Sequence, residues 1–430
     1  MGHRTAVRLA VLLMAPAAWA QDPAALLEHT RDKVLAEAPN LSNYVCTETI
    51  ERRYYSRQQP PEDQPDCERI LLDRKKGNHA VKLDAADRLR VAVSIHGERE
   101  IYSWTGAAPY RHGVEDILQS GPIGAGAFAA HLLDIFRNPS VLFRLMGERS
   151  DALEYGFRVP IEASRFVVAA RNRWLPAGYT GSVHIDKDSL DLRQVHFETN
   201  ELPPETLLCE DATTLDFPPR QAAGSRWFLP SRSVSHDIMR DTTETDRSAT
   251  LSDCREPDPS PSSRNSRPDP IGAPPPPDLK IWLELAAPID TDVAAAGDPV
   301  EAIVAEPVFA DRRTKEPLIP RGATVAGRIV RMRRQYSPGP LFLVGIAFET
   351  IAMHGVTAPF YARLIAPPPA TETPLYRTME LTGHGLKDWP HGFLGFAPHR
   401  PDRGLRWQAD RLVIEPEFRS RWLTVAPPAR

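Results

Sequence analysis

The sequence predicts a mainly β protein: a curved antiparallel sheet with a few helices, a proline-rich linker, and then a small β-barrel or β-sandwich. Two observations predict this. Apolar and polar residues alternate over most of the chain beyond residue 40, as in strands with one buried face. Residues 257–279 are mainly Pro, Ser, Asp and Arg, and such a segment buries too little apolar surface to offset its ordering entropy. We expect this linker to be extended and to hold two folded units apart.

The chain begins with a predicted signal peptide, residues 1–20. Met1–Arg8 is basic, Leu9–Pro16 is a short apolar core, and Ala18-Trp19-Ala20 fits a cleavage site that leaves Gln21 as the first mature residue. A membrane anchor or a buried helix is the alternative, but the core is too short to span a bilayer and ends at a proline. No cysteine follows the cleavage site, so a lipoprotein anchor is not indicated. We expect a periplasmic or secreted protein without a membrane span in the mature chain.

Four cysteines lie before the linker: Cys46, Cys67, Cys209 and Cys254. An exported chain meets an oxidising compartment, and an even number of cysteines is typical of disulfides. We therefore expect two disulfides, with three pairings open. Zinc binding is the alternative, but it requires closely spaced pairs such as CxxC, and the sequence has none.

The first unit, residues 21–256, is predicted to begin with a helix over residues 23–37, after a possible N-cap at Asp22. A second helix is predicted at 127–136, before Asn138-Pro139, and a short apolar piece follows at Val141–Met146. The predicted strands are Asn43–Tyr55, Leu89–Ile95, Glu98–Trp104, Tyr155–Ile161, Arg165–Ala170, Gly178–Asp186, Asp191–Thr199, Thr206–Phe217, Arg226–Ile238 and Thr242–Asp253.

A β-bulge is predicted after the turn at Asp186–Ser189. The apolar residues Leu190 and Leu192 are in one phase, whereas Val195 and Phe197 are in the other. An extra residue near Arg193-Gln194 restores one buried face. A calcium loop is the alternative for this turn, but the turn lacks the ligand spacing, the glycine and the closing glutamate of such loops.

Much of residues 40–256 resembles a family of exported bacterial envelope proteins that has no assigned function. Its strand order also resembles, more weakly, the half-barrel of the outer-membrane lipoprotein carriers and related envelope sensors. The resemblance implies a curved sheet around a helix, with a concave face that can receive acyl chains, and no functional residue is carried over. The matching segments are Asn43–Tyr55, Asp87–Trp104, Gly121–Phe136, Tyr179–Val195, Glu201–Phe217 and Phe228–Glu256.

The second unit, residues 280–366, is predicted as five strands with Gly and Pro turns between them. Its segment Leu318–Val330, LIPRGATVAGRIV, resembles small β-barrels of envelope proteins, among them the scaffold barrels of conjugative secretion channels. That resemblance concerns turn and core positions and implies fold rather than function. The predicted strands are Lys280–Leu285, Val300–Val308, Thr324–Met332, Leu341–Ile351 and Val356–Ile365.

Residues 367–430 are predicted to be an irregular extension packed on the second unit, with short strands at 392–396, 411–415 and 422–425. Arginines and tryptophans interleave between Arg403 and Trp422. We interpret them as arginine stems lying over packed Trp rings, with a contact to an anionic surface or a glycan as the alternative. We expect a solvated strand face and turn for four further arginines: Arg328, Arg331, Arg333 and Arg334.

The sequence predicts no catalytic, cofactor or metal site. GxSxG, HExxH and Walker motifs are absent from it, and Gly121-x-x-Gly124-x-Gly126 has the pattern of a helix start. His384, His391 and His399 lack the short spacing of metal ligands. A net charge of −4 gives no basic footprint for nucleic acid.

The first hypothesis is therefore a non-enzymatic envelope protein whose half-barrel binds an apolar ligand, a lipid or a lipoprotein. The second is a structural or protein-interaction module of the envelope without a ligand cavity, and the third is a hydrolase with an unrecognised active site. The first two hypotheses differ in the concave face, which is either open and apolar or filled by side chains. The candidate filling residues are Phe128, Leu132, Ile135 and Phe136.

Overall fold

The computed structural model of the chain describes residues 22–37, 45–58, 65–78, 80–96, 99–105, 128–170, 173–217, 229–256, 272–311, 315–336, 339–366, 376–381, 402–407, 411–416 and 418–427. The predicted signal peptide, most of the predicted linker and the strand predicted at 392–396 lie outside these residues.

The chain folds as a mainly β protein, which confirms the predicted fold class. The α-helices in the described residues are α1 (Pro23–Glu37), α2 (Cys67–Lys75) and α3 (Phe128–Arg137). None of the helices in the described ranges is both long and apolar enough to cross a bilayer. The strands of the first unit are β1 (Val45–Arg57), β2 (Val81–His96), β3 (Arg99–Trp104), β4 (Leu142–Glu148), β5 (Ala152–Val159), β6 (Val167–Ala170), β7 (Arg173–Pro176), β8 (Gly178–Asp186), β9 (Leu192–Glu201), β10 (Leu208–Asp216), β11 (Arg232–Met239) and β12 (Glu244–Arg255).

The first unit is an antiparallel sheet in the order β4-β5-β8-β9-β10-β11-β12-β1-β2-β3. Most strands follow one another as hairpins, and only the pairing of β12 with β1 joins distant parts of the chain. The strands β6 and β7 form a separate hairpin. Burial alternates along β5, β9 and β10, so one face of the sheet is consistently packed.

The predicted bulge is confirmed at Arg193. His184 pairs with Gln194 and Ile185 with Leu192, so Arg193 is the extra residue in β9. In the preceding turn the Asp186 carboxylate accepts hydrogen bonds from the backbone N–H groups of Asp188 and Ser189 and from the Arg193 guanidinium. The Asp186 oxygens therefore stabilise a turn, as predicted.

The four cysteines form two disulfides, Cys46–Cys254 and Cys67–Cys209, as predicted, with the pairing now resolved. The first joins the start of β1 to the end of β12, which are adjacent strands. The second fastens α2 to β10. The sequence analysis missed α2 because only Ile70 in it is fully buried, so it carries no apolar repeat.

The second unit is a small β-barrel. The pairings run β13-β15-β16-β17-β18, the chain continues from β18 into β19, and β19 pairs with β23, which returns to β13. The two additional strands β20 and β21 extend from β17. The bounds are β13 (Lys280–Leu285), β14 (Ile289–Asp290), β15 (Pro299–Val304), β16 (Thr324–Gln335), β17 (Leu341–Met353), β18 (Val356–Pro359), β19 (Ala362–Ala366), β20 (Tyr376–Leu381), β21 (Asp402–Trp407), β22 (Val413–Ile414) and β23 (Arg419–Thr424).

The last eight residues of the predicted linker, 272–279, lie on this barrel. The Gly272 N–H donates to the Thr357 carbonyl, and the Thr424 hydroxyl donates to the Pro276 carbonyl. The same hydroxyl accepts from the Leu279 N–H at 2.8 Å. Pro276 and Leu279 are therefore held on β23 by the Thr424 side chain.

The expectation that the linker holds the two units apart is wrong. The end of β16 pairs with β2, with Arg333 opposite Asp87, and Ala296 forms a parallel bridge with Leu89. Since β3 pairs only with Val91–His96, the preceding part of β2 would otherwise present unpaired backbone groups. The second unit satisfies that edge, and the two units are joined.

Candidate functional site

The helices α1 and α3 lie on one face of the first unit's sheet, which we call the concave face after the expectation from the sequence, and they fill it there. The α3 residues Leu132, Ile135 and Phe136 are at most 1% exposed, and they pack with Leu26 and Val34 of α1 against β5, β8, β9 and β10. The side chain of the fourth candidate filling residue, Phe128, lies outside the described set. At this end the face is a packed apolar core.

Beyond the helices the same face carries polar rows beside a second buried apolar cluster that contains Ile50 and Leu89. Its cross-strand rows are formed by residues that lie directly opposite one another on β10, β11, β12, β1 and β2. The rows carry buried hydroxyls, carboxylates and guanidinium groups, which require partners when they are removed from water. The first row is Thr213, Ser235, Arg247, Arg52 and Asp87, and the second is Asp211, Asp237, Thr245 and Tyr54.

Two buried carboxylates share one cation in these rows. Arg247 Nη2 lies 3.6 Å from an Asp211 oxygen and 3.4 Å from an Asp237 oxygen, and the Thr213 hydroxyl donates to Asp211. Burial and the neighbouring Asp237 charge raise the pKa of Asp211 well above its ordinary range. These groups converge as catalytic groups do, but all are buried from solvent, and we interpret them as a polar core.

The opposite face of the sheet carries a histidine between two carboxylates. His236 Nδ1 lies 2.5 Å from Asp246, and its Nε2 lies 3.0 Å from Glu244. Burial opposes a charge on this ring, but the two carboxylates prevail and raise the pKa of His236 to about 9. Arg74 of α2 also contacts Glu244, at 3.0 Å, so this network binds the helix to the sheet.

The seam between the units is made of backbone and arginine contacts. The Arg90 N–H donates to the Ala296 carbonyl at 2.7 Å, and the Ala296 N–H donates to the Arg88 carbonyl at 2.9 Å. The Arg90 guanidinium reaches Asp298. Between these contacts lies Gly297, whose φ of 109° and closeness to the Arg90 carbonyl favour glycine.

Beside this seam lies a cleft of about 250 Å³, which we call the arginine cleft. Residues of both units line it. Five arginines face three carboxylates in this lining, so the cleft attracts anions. The lining residues are Glu51, Arg52, Arg53, Ala86, Asp87, Arg88, Thr291, Asp292, Met332, Arg333, Arg334, Tyr336 and Phe342.

The floor of the arginine cleft is a buried ion pair. Arg52 donates to both oxygens of Asp87, at 2.7 and 2.9 Å, and the Tyr54 hydroxyl donates to the same carboxylate at 3.1 Å. Arg333 lies over the Tyr54 ring, 5.7 Å from its centroid. Burial lowers the pKa of Arg333 to about 10, so the side chain stays cationic at neutral pH.

Arg334 is held by aromatic rings. Its guanidinium carbon lies 4.8 Å from the Tyr336 centroid and 5.2 Å from that of Phe342. Its Nε is buried and donates no hydrogen bond.

The solvated arginine face expected from the sequence is therefore corrected at three positions. Arg333 and Arg334 line the arginine cleft, and Arg328 is buried against Glu349 with an Nε distance of 2.6 Å. The sequence indicated these positions only as a run of basic residues in β16. Arg333 and Arg334 line a cleft because β16 pairs with β2, which is distant in the sequence. The expectation of arginine stems over Trp rings is met at Arg421, which lies over the ring of Trp282. Arg411 and Arg419 instead form ion pairs, with Asp292 and Glu284 respectively.

No protein-family model and no curated protein matches the chain. Among solved structures, a LolA superfamily protein from Nitrosomonas europaea is similar at 10% identity, with a TM-score of 0.23, over 54% of this chain and 94% of that one. We draw no conclusion from so weak a likeness.

Proposed function

We propose that the protein is a non-enzymatic exported protein that acts as a structural or protein-interaction module of the cell envelope. The observation that carries this proposal is the packing of the concave face. Leu132, Ile135 and Phe136 occupy the position in which an apolar ligand would lie. The rest of the face consists of buried polar rows and of a second packed apolar cluster that contains Ile50 and Leu89. A ligand-carrying half-barrel instead needs a concave apolar surface that is open.

The edge strand β4 supports an interaction role. Leu142 is 79% exposed and Met146 is 63% exposed, whereas large apolar side chains on a solvated edge are usually covered. In the described part of the chain, β4 pairs with β5 alone. We expect the partner to be another envelope protein that adds an extended apolar segment along β4, since an open edge supplies backbone groups and side-chain contacts together.

Native mass spectrometry on the full mature chain from a periplasmic extract tests the absence of a ligand. We expect the apo mass, both as purified and after incubation with phospholipid. A lipid-sized adduct that survives gentle ionisation would contradict the proposal.

Photo-crosslinking tests the partner. A photoreactive residue placed at Leu142 in the intact cell should form an adduct with a protein, whereas one at the exposed Val356 of the second unit should not. An adduct consisting only of lipid, or equal adducts at both positions, would overturn the proposed interaction along β4.

Binding of an apolar ligand in the half-barrel remains the second candidate, and the composition of the core under α3 favours it. That core is aliphatic and aromatic, with Phe136 stacked on Phe143 at a centroid distance of 5.7 Å. If α3 moved outward, it would uncover an apolar surface. The same mass spectra decide this point, because a carrier would retain lipid.

A further inference from the structure

We propose that the arginine cleft binds a phosphate-bearing anion, held by Arg334 on one side and by Arg53 on the other, above the ion pair of Arg52 and Asp87. Arg53 belongs to the first unit and Arg334 to the second, so the site exists only because the units are joined. The inference is independent of the proposed interaction role, since the cleft lies away from β4 and from the part of the concave face that α1 and α3 fill.

Charge is the first argument for an anion. Each of the three carboxylates in the lining already has an arginine partner: Asp87 pairs with Arg52, Glu51 with Arg88, and Asp292 with Arg411 from outside the lining. Within the described ranges, no carboxylate pairs with Arg334, whose guanidinium contacts the Tyr336 and Phe342 rings. The cleft therefore keeps positive charge that its own carboxylates do not neutralise.

The setting of Arg334 is the second argument. Tyr336 and Phe342 fix the plane of its guanidinium, so binding would cost little side-chain entropy. Its buried Nε–H donates no hydrogen bond, and a buried donor without an acceptor is costly. The terminal Nη groups of a guanidinium can donate two parallel hydrogen bonds to phosphate, and an anion next to this group would offset part of the cost of burying its charge.

The size and walls of the cleft indicate the class of ligand. A volume of about 250 Å³ exceeds what inorganic phosphate fills, and Met332 and Phe342 add apolar wall next to the arginines. A tetrahedral anion accepts hydrogen bonds from several directions, which suits arginines that approach from two units. We expect a phosphate monoester with a small organic part, either as a soluble compound or as a lipid headgroup.

Isothermal titration calorimetry of the full mature chain with glycerol 3-phosphate tests the site, with succinate at equal ionic strength as the carboxylate comparison. We expect saturable binding of the phosphate ester. Arg334→Gln should weaken it about tenfold or more, as expected for loss of a charged hydrogen-bond donor. Arg321→Gln, which removes a charge from an exposed turn of the second unit, should bind as the wild type does.

Flotation with vesicles distinguishes the two sources of phosphate. If the protein floats with phosphatidylglycerol vesicles but not with phosphatidylcholine vesicles, and Arg334→Gln abolishes this flotation, the ligand is a lipid headgroup. If the protein binds only the soluble ester, the ligand is a soluble compound. If Arg334→Gln does not fold, the exposed Arg53→Gln takes its place. Binding of neither probe, equal affinity for succinate, or wild-type affinity in the folded variant would overturn the proposal.

Discussion

Arg247 is the only described cation within ion-pair distance of both Asp211 and Asp237, and its removal is the most damaging single change that we foresee in the polar core. Arg247→Met would leave two carboxylates buried without a counter-ion. We expect the free energy of unfolding to fall by about 3–5 kcal/mol. Urea unfolding of the mature chain at pH 7 measures it.

Asp211→Asn is the matched control, because it keeps the shape and leaves one carboxylate for one arginine. The raised pKa of Asp211 means that the folded state binds this proton more tightly than the unfolded chain does. Stability from this group is therefore full below its ordinary pKa of 3.8 and declines as pH rises toward the folded value. In Asp211→Asn this contribution to the pH dependence of stability should be absent, and the variant should be at least as stable as the wild type at pH 7. A loss as large as that of Arg247→Met would refute this account.

From the raised pKa of His236 we expect the folded protein to lose stability at alkaline pH. Its pKa is raised from 6.5 to about 9 by Asp246 and Glu244, which outweigh the opposing burial. The stabilisation is complete below pH 6.5 and is lost as pH rises through about 9. We expect His236→Gln to remove roughly 1–3 kcal/mol of this pH-dependent stability, measured by urea unfolding between pH 6 and 9.5. Parallel curves for variant and wild type would contradict the prediction.

At the scale of elements, α2 depends on covalent and polar attachment more than on burial. Ile70 is its only fully buried residue, whereas its N-terminus is capped by Asp66 and joined to Cys209 through Cys67. Replacing both Cys67 and Cys209 by Ala should cost about 2–5 kcal/mol. We also expect the α2 amides to lose protection in hydrogen exchange while β8 and β9 keep theirs.

The pair Cys46→Ala and Cys254→Ala is the control for this prediction, because it removes a disulfide that does not touch α2. It should destabilise the chain without selective exposure of α2. Equal protection of α2 in both double variants would show that the helix is held by packing alone.

At the scale of the whole molecule, the two units form one body through the seam at Gly297. A Cβ atom on this residue would lie 1.9 Å from the Arg90 carbonyl oxygen, so neither backbone can stay in place. Gly297→Ala should therefore separate the units while each sheet persists. We expect a larger radius of gyration in small-angle X-ray scattering and faster proteolysis between the units.

Gly322→Ala controls for backbone strain, since Gly322 also has a positive φ, of 85°, but has open space around it. It should leave the radius of gyration unchanged. A compact Gly297→Ala variant would show that the remaining seam contacts are sufficient to hold the units together.

The strands, α1 and the bulge at Arg193 were predictable because they depend on short-range alternation and turn chemistry. The oxidised cysteines were predictable from their even number together with the predicted export signal. The bounds of β2 were predicted too short, because Asp84, Asp87 and the alanines around them do not alternate as core residues do. Their burial comes from partners on other strands and from the second unit.

Local sequence thus determined the class of the fold, since the alternation of side chains along a strand is a property of the strand itself. The disulfide pairing, the polar rows of the concave face and the arginine cleft were decided only by the tertiary structure. Asp87 lies opposite Arg333 because β2 has an open edge that β16 fills, and the two strands are far apart in the chain. The contacts between residues that are distant in the sequence depend on which strand edges and sheet faces pair. The alternation within a single sequence does not give that pairing.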